Sequence, residues 1–142
     1  MSNLSAFLLE NAIKVDNIKY AVSKRFLDKN KKPIEWEIRC VTSSEDEEIR
    51  KECTKRVPIP GKRNQYTLDT DYNLYLGKLA SKCTVYPNLN DAELQNSYGV
   101  MGADVLLKTM LTAGEYADYL TKIQEVNGFD VSFEEKVDEV KN

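Results

Sequence analysis

Over residues 86–129 the sequence starts and stops a helix three times, and this punctuation limits what the chain can fold into. Asn90 is placed to cap the first segment, with Glu93 three residues on in a capping-box arrangement. Leu89 and Leu94 flank that cap as a hydrophobic staple. Residues 96–99 then read as a stop. A second segment spans residues 102–111, with Val105, Leu106, Met110 and Met101 as its apolar side. Thr112 caps a third, with Glu115 at the matching position, and Tyr116, Ala117, Leu120, Ile123 and Val126 form one broad face. Gly128 is placed to end it in the left-handed conformation, with Phe129 folding back on the last turn. Helices this short, joined by loops this tight, pack as neighbours.

The rest of the chain must then provide a covering layer. Residues 17–41 read as a β-hairpin. Ile18, Tyr20, Val22 and Phe26 alternate with polar residues on one arm, and Ile34, Trp36, Ile38 and Cys40 do so on the other. Placing Phe26 opposite Ile34 sets Arg25 against Glu35 and Ala21 against Arg39. Two strands need another layer to be stable, so this apolar face calls for helices or a third strand, with Trp36 as a core anchor. Residues 43–56 read as a charged helix with Ser44 and Glu47 as its capping box, Ile49 and Cys53 as a thin apolar stripe, and Lys55 and Arg56 in its last turn. Pro58, Pro60 and Gly61 end it. Residues 65–68 add a short strand, and Asp69 or Thr70 caps a further helix to Cys83. That helix has Leu76, Leu79, Ala80 and Cys83 on its apolar side and Gly77 as an interior weakness.

The two ends are less determined. Residues 3–10 make one or two helical turns with Leu4, Phe7 and Leu8 on one side; they either cover the core or act as a partner-binding arm. The acidic tail, residues 130–142, carries Phe133, Val137 and Val140 as a weak helical pattern that docks, stays mobile or folds on a partner.

Composition narrows the function. A 42% hydrophobic share over 142 residues is enough for one core and a single domain. Twenty basic and 23 acidic residues are interspersed, with a net charge of -3, which argues against a broad nucleic-acid or membrane footprint. No apolar run reaches the roughly 18–20 residues a membrane span requires, and the start lacks the basic region of a signal peptide and has only a brief apolar run, so a cytoplasmic protein is expected. There is no histidine. The commonest neutral-pH base and the commonest metal ligand are therefore missing. Cys40, Cys53 and Cys83 are odd in number and widely spaced, which is no disulfide framework.

Nothing in the sequence assembles a catalytic site. Asp69 with Asp71, and Asp46 with Glu47 and Glu48, are explained by capping and solvation; neither group has the flanks of a metal loop. Cys53 near Lys55 and Arg56 has cationic neighbours that can activate a thiol, but its place on an apolar stripe reads as packing. The segment PIPGKRN has a single glycine and lacks the multi-glycine frame of a phosphate loop. An enzyme is not expected, nor is any cofactor or metal. The basic residues Lys51, Lys55, Arg56, Lys62 and Arg63 remain as a contact region for an acidic surface or nucleic acid.

The stretch YPNLNDAELQNSYGVMGADVLLKTMLTAGEY at residues 86–116, followed by IQEVNGF at 123–129, resembles the XkdN-like family of phage tail assembly chaperones. FLLENA at 7–12 and CTVYPNL at 83–89 are similar too, so the resemblance runs over nearly the whole chain. It implies a non-catalytic role in building a long phage or prophage tail. By that resemblance the protein binds the tape measure protein before tail tube subunits polymerise around it, and helps recruit tube protein. It is then absent from the finished particle. A structural tail component or completion adaptor, and a small nucleic-acid-associated regulator, are the competing functions.

A partner of that kind presents apolar helical stripes, which a groove with charged rims can cover. One helix face cannot bury Val105, Leu106, Leu107, Met110 and Leu111 together. Met101, Leu107, Met110 and Tyr119 are therefore the candidate groove residues, methionine being adaptable to variable partners. Packing in the core, and a homo-oligomer formed through the same surface, are the alternatives for these positions. The expected architecture is α+β: a mainly helical single domain, residues 1–142, with an N-terminal β-hairpin packed against a C-terminal helical cluster.

Overall fold

The computed structural model describes residues 3–129. The tail proposed to dock or fold on a partner lies outside them. After a 3-10 turn at Asn3–Phe7, the elements in order are β1 (Ile18–Tyr20), β2 (Trp36–Ile38), α1 (Ser43–Glu52), β3 (Thr54–Pro58), β4 (Tyr66–Thr70), α2 (Tyr72–Cys83), β5 (Thr84–Tyr86), α3 (Ala92–Ser97), α4 (Ala103–Met110) and α5 (Ala113–Val126). The architecture is α+β, with an N-terminal hairpin and its sheet laid against a C-terminal helical cluster.

The main sheet is antiparallel in the order β1-β2-β5. The third strand that the hairpin needs comes from the residues just after α2. Trp36 and Ile38 point into the core, where α2 is the central helix, packed by α1, α4, α5 and β5. Leu79, Cys83, Leu106, Leu107, Tyr119 and Ile123 complete the interior. Trp36 meets Tyr119 edge-on, with ring centroids 5.4 Å apart at 73°.

The hairpin register holds only at its turn. Ile34 N donates to Phe26 O at 2.8 Å, as the sequence predicts. Further along, Tyr20 faces Trp36 and Ile18 faces Ile38, so Ala21 does not meet Arg39, and the Arg25 side chain pairs with Glu115. The first arm bulges out over residues 21–25. The excursion lets Val22 and Ser23 reach the interior and sends Arg25 across to α5. Simple alternation cannot encode an excursion driven by a distant partner.

The charged helix also needs correction. It starts at Thr42, whose side chain and Glu45 form the capping box, rather than at Ser44 and Glu47. It stops at Glu52, with Cys53 as the C-cap, so Lys55 and Arg56 lie in β3 and not in a last helical turn. β3 pairs with β4 as a second, separate hairpin whose turn contains the PIPGKRN segment from Ile59 onward, Pro58 being the last residue of β3. The caps expected at Asp69 or Thr70 and at Asn90 fall one residue or more later, at Asp71 and Asp91. Helix α5 matches the expected Thr112–Glu115 box. Its end is a Schellman turn: Gly128 has φ +76°, Gly128 N donates to Glu125 O, and Phe129 N donates to Gln124 O. Gly77 allows close packing in α2. A Cβ there would lie 2.9 Å from Tyr116 Oη of α5.

Candidate partner-binding surfaces

The four candidate groove residues do not form an exposed groove. Leu107 and Tyr119 are fully buried, and Met110 is 6% exposed. Only Met101 is free of the core, at 90% exposed. On α4 the buried side is Leu106, Leu107 and Met110, while Val105 faces out, so the helix is rotated relative to the face expected from its sequence. Tyr119 is held from the interior by its ring contact with Trp36 and by a 2.6 Å hydrogen bond between its hydroxyl and that of Thr84. Burial pushes the Tyr119 hydroxyl well above its usual range. Met110 reaches the surface only as part of a small apolar cleft with Phe26, Ile34, Trp36, Tyr86 and Leu94.

The groups weighed for chemistry are structural. Asp46 accepts from the Tyr75 hydroxyl and from Arg50 Nε at 2.9 Å, and the Arg50 guanidinium lies over the Tyr75 ring, tying α1 to α2. Asp71 caps α2, and Asp69 faces Lys55 across the second hairpin. Burial raises the thiol pKa of both Cys53 and Cys83, which opposes thiolate formation and overrides the activation suggested by nearby cations. Cys40 donates to Val126 O at 3.0 Å, and Val41 N donates to Asn127 Oδ1 at 2.9 Å, fastening the end of the first hairpin to the end of α5. Among the described residues, no group of three acidic, Cys or His side chains is placed to hold a metal ion. No helix among them is long and apolar enough to cross a membrane.

Exposed apolar residues gather elsewhere. The segment before β1 carries Phe7, Leu9, Ile13 and Val15, each exposed, and no residue of its 3-10 turn is buried. This segment does not cover the core, contrary to one expectation from the sequence. The second exposed feature is the β3–β4 hairpin. Its register places Arg56 opposite Leu68 and Pro58 opposite Tyr66, so these four share one face. The Arg56 guanidinium sits 4.6 Å from the Tyr66 ring centre. Leu68 and Tyr66 are exposed, and Lys62 and Arg63 stand exposed in the turn. Lys51 lies apart on α1, 3.9 Å from Glu47. The expected basic region thus divides, with Lys55, Arg56, Lys62 and Arg63 on the hairpin. Sequence reasoning missed this hairpin; Val57 and Ile59 around Pro58 and Pro60, followed by a Gly61 turn and the Tyr66–Thr67 strand, are the signal that could have found it.

Residues 4–141 match the model of the phage XkdN-like tail assembly chaperone proteins. The chain belongs to this family. It is 30% identical over 141 residues to the phage-like element PBSX protein XkdN of Bacillus subtilis strain 168, an alignment covering 99% of this chain and 94% of that protein. It is equally similar, at 30% over 141 residues, to the uncharacterized protein YqbN of the same organism. A crystal structure of YqbN superposes with a TM-score of 0.77 at 27% identity, covering 92% of this chain and 99% of that one. XkdN-like proteins are assembly chaperones and not enzymes.

Proposed function

We propose that this protein binds the tape measure protein of a long phage or prophage tail and shields it until tail tube subunits polymerise around it. Membership of the XkdN-like tail assembly chaperone family along residues 4–141 carries this reading. A very long helical partner exposes apolar stripes that aggregate unless covered. The chain offers matching surface outside its core: Phe7, Leu9, Ile13 and Val15 on the N-terminal arm, and Met101 before α4. Each stands clear of the interior, so binding need not unfold the body. Tube protein is the second proposed partner, acting on the same complex, and the work takes place in the host cytoplasm.

The test is co-expression with the tape measure protein encoded in the same gene cluster. A soluble complex that copurifies through size exclusion is the expected result. An insoluble tape measure protein and an unbound chain would overturn the reading. A stable place in purified tails would instead indicate a structural component.

A further inference from the structure

The β3–β4 hairpin has chemistry that the body of the protein leaves unanswered. Residues 54–70, the hairpin, contain Lys55, Arg56, Lys62 and Arg63 against Asp69 alone, which faces Lys55, a segment of +3. The whole chain is -3, so the remaining residues sum to -6 (-3 less +3), of which residues 130–142 contribute -3 (two basic, five acidic). The hairpin is a two-stranded sheet of its own, separate from β1-β2-β5. Two strands bury too little to be stable unaided, and here the side chains are exposed over most of the length, with only Thr54, Val57, Ile59 and Thr70 half-buried. It is anchored at its root. Asp71 N donates to Cys53 O at 2.8 Å, and the Thr54 and Thr70 hydroxyls meet at 2.9 Å.

One face of this arm combines apolar and cationic groups. Pro58, Tyr66 and Leu68 lie beside Arg56, whose guanidinium is already stacked on Tyr66. Lys62 and Arg63 extend the positive charge to the tip. Leu68 is 70% exposed on this face and has no place in the core. Such a face is complementary to a segment that sets carboxylates beside apolar side chains.

We infer that the Arg56–Tyr66–Leu68 face and the Lys62–Arg63 tip form a docking arm for an acidic amphipathic segment of the partner. The assignment rests on the function proposed above, and that segment then belongs to the tape measure protein. Apolar burial over Tyr66 and Leu68 supplies affinity, and the three cations Arg56, Lys62 and Arg63 set orientation and association rate. Nucleic acid fits less well. A long polyanion would run from the arm onto the other described residues, which carry -3 (-6 less -3), and exposed Leu68 adds apolar surface that a phosphate backbone does not use. A short acidic segment meets only the arm.

The experiment compares three forms of the full chain, each co-expressed with the full-length tape measure protein. These are wild type, the tip variant K62E/R63E, and the face variant L68S. All three sites are exposed, so thermal melts of the free proteins should coincide. The expected result is at least a tenfold loss of affinity in each variant, and wild-type binding that weakens as salt is raised. Wild-type affinity in both variants overturns the docking arm while leaving the function reading intact. The same holds if the variants change only self-association, or only the retention of a single-stranded DNA oligonucleotide. A wild type that forms no complex overturns the function reading and the arm together.

Discussion

Glu115 ties three parts of the chain together. Its carboxylate accepts from Ser23 Oγ at 2.5 Å, from Arg25 Nη2 at 2.6 Å and from Thr112 N at 2.9 Å, while Arg25 also donates to Met110 O at 2.7 Å. The hydrogen bond from Arg25, then those from Ser23 and the Thr112 backbone, hold its carboxyl down at about 2. Arg39 and Thr42 hold Glu45 at about 2 in the same way. A carboxylate depressed in the folded state stabilises fully above its unfolded value, near 4.5, and that stabilisation is lost as pH falls through about 2. Melting temperature should therefore drop between pH 4.5 and 2, and Glu115→Gln should flatten that drop. A slope unchanged in the variant would remove Glu115 from the account. Tyr116 is the opposite case. Its buried hydroxyl has no partner among the described residues. Tyr116→Phe is expected to raise stability by about 1 kcal/mol in denaturant unfolding, because it removes an unpaired polar group.

At the level of elements, caps decide which segments are helices. Thr112→Ala removes the acceptor for Glu115 N and is expected to cost about 1 kcal/mol. The boundaries of α5 were legible because its signals are local: the Thr112–Glu115 cap, a glycine past the end, an apolar spacing. The Ser44 box was misplaced because Thr42-Ser43-Ser44 offers several hydroxyls in a row, and the Arg39–Glu45 pair at 2.8 Å favours Thr42. β3 was hidden for a related reason. Lys55 and Arg56 suit a helix end as well as a strand, and the deciding partner, β4, lies across a turn. The register of the first hairpin failed where Arg25 leaves its strand for Glu115, a contact 90 residues away in sequence.

At the scale of the molecule, the fold was more legible than the binding surface. Leu107 and Met110 looked available because α4 carries more apolar residues than one helix face can bury, with Tyr119 of α5 grouped beside them. In the fold, α2, α5 and the sheet approach α4 and its neighbours from several sides and bury them. Spacing along one helix carries no record of how many elements surround it. Stability measurements should separate the positions: Leu107→Ala is expected to cost 2–5 kcal/mol, roughly, as a core truncation, and Met101→Ser to stay within about 0.5 kcal/mol. The reverse order would contradict the burial of α4.

Partner capture through surface outside the core is the central claim, and amide hydrogen exchange tests it directly. The chain would be compared alone and in complex with the tape measure protein. New protection is predicted in the arm before β1 and along β3 and β4, with exchange in α4 and α5 unchanged. Protection confined to α4 and α5, with both exposed segments exchanging as in the free protein, would contradict it.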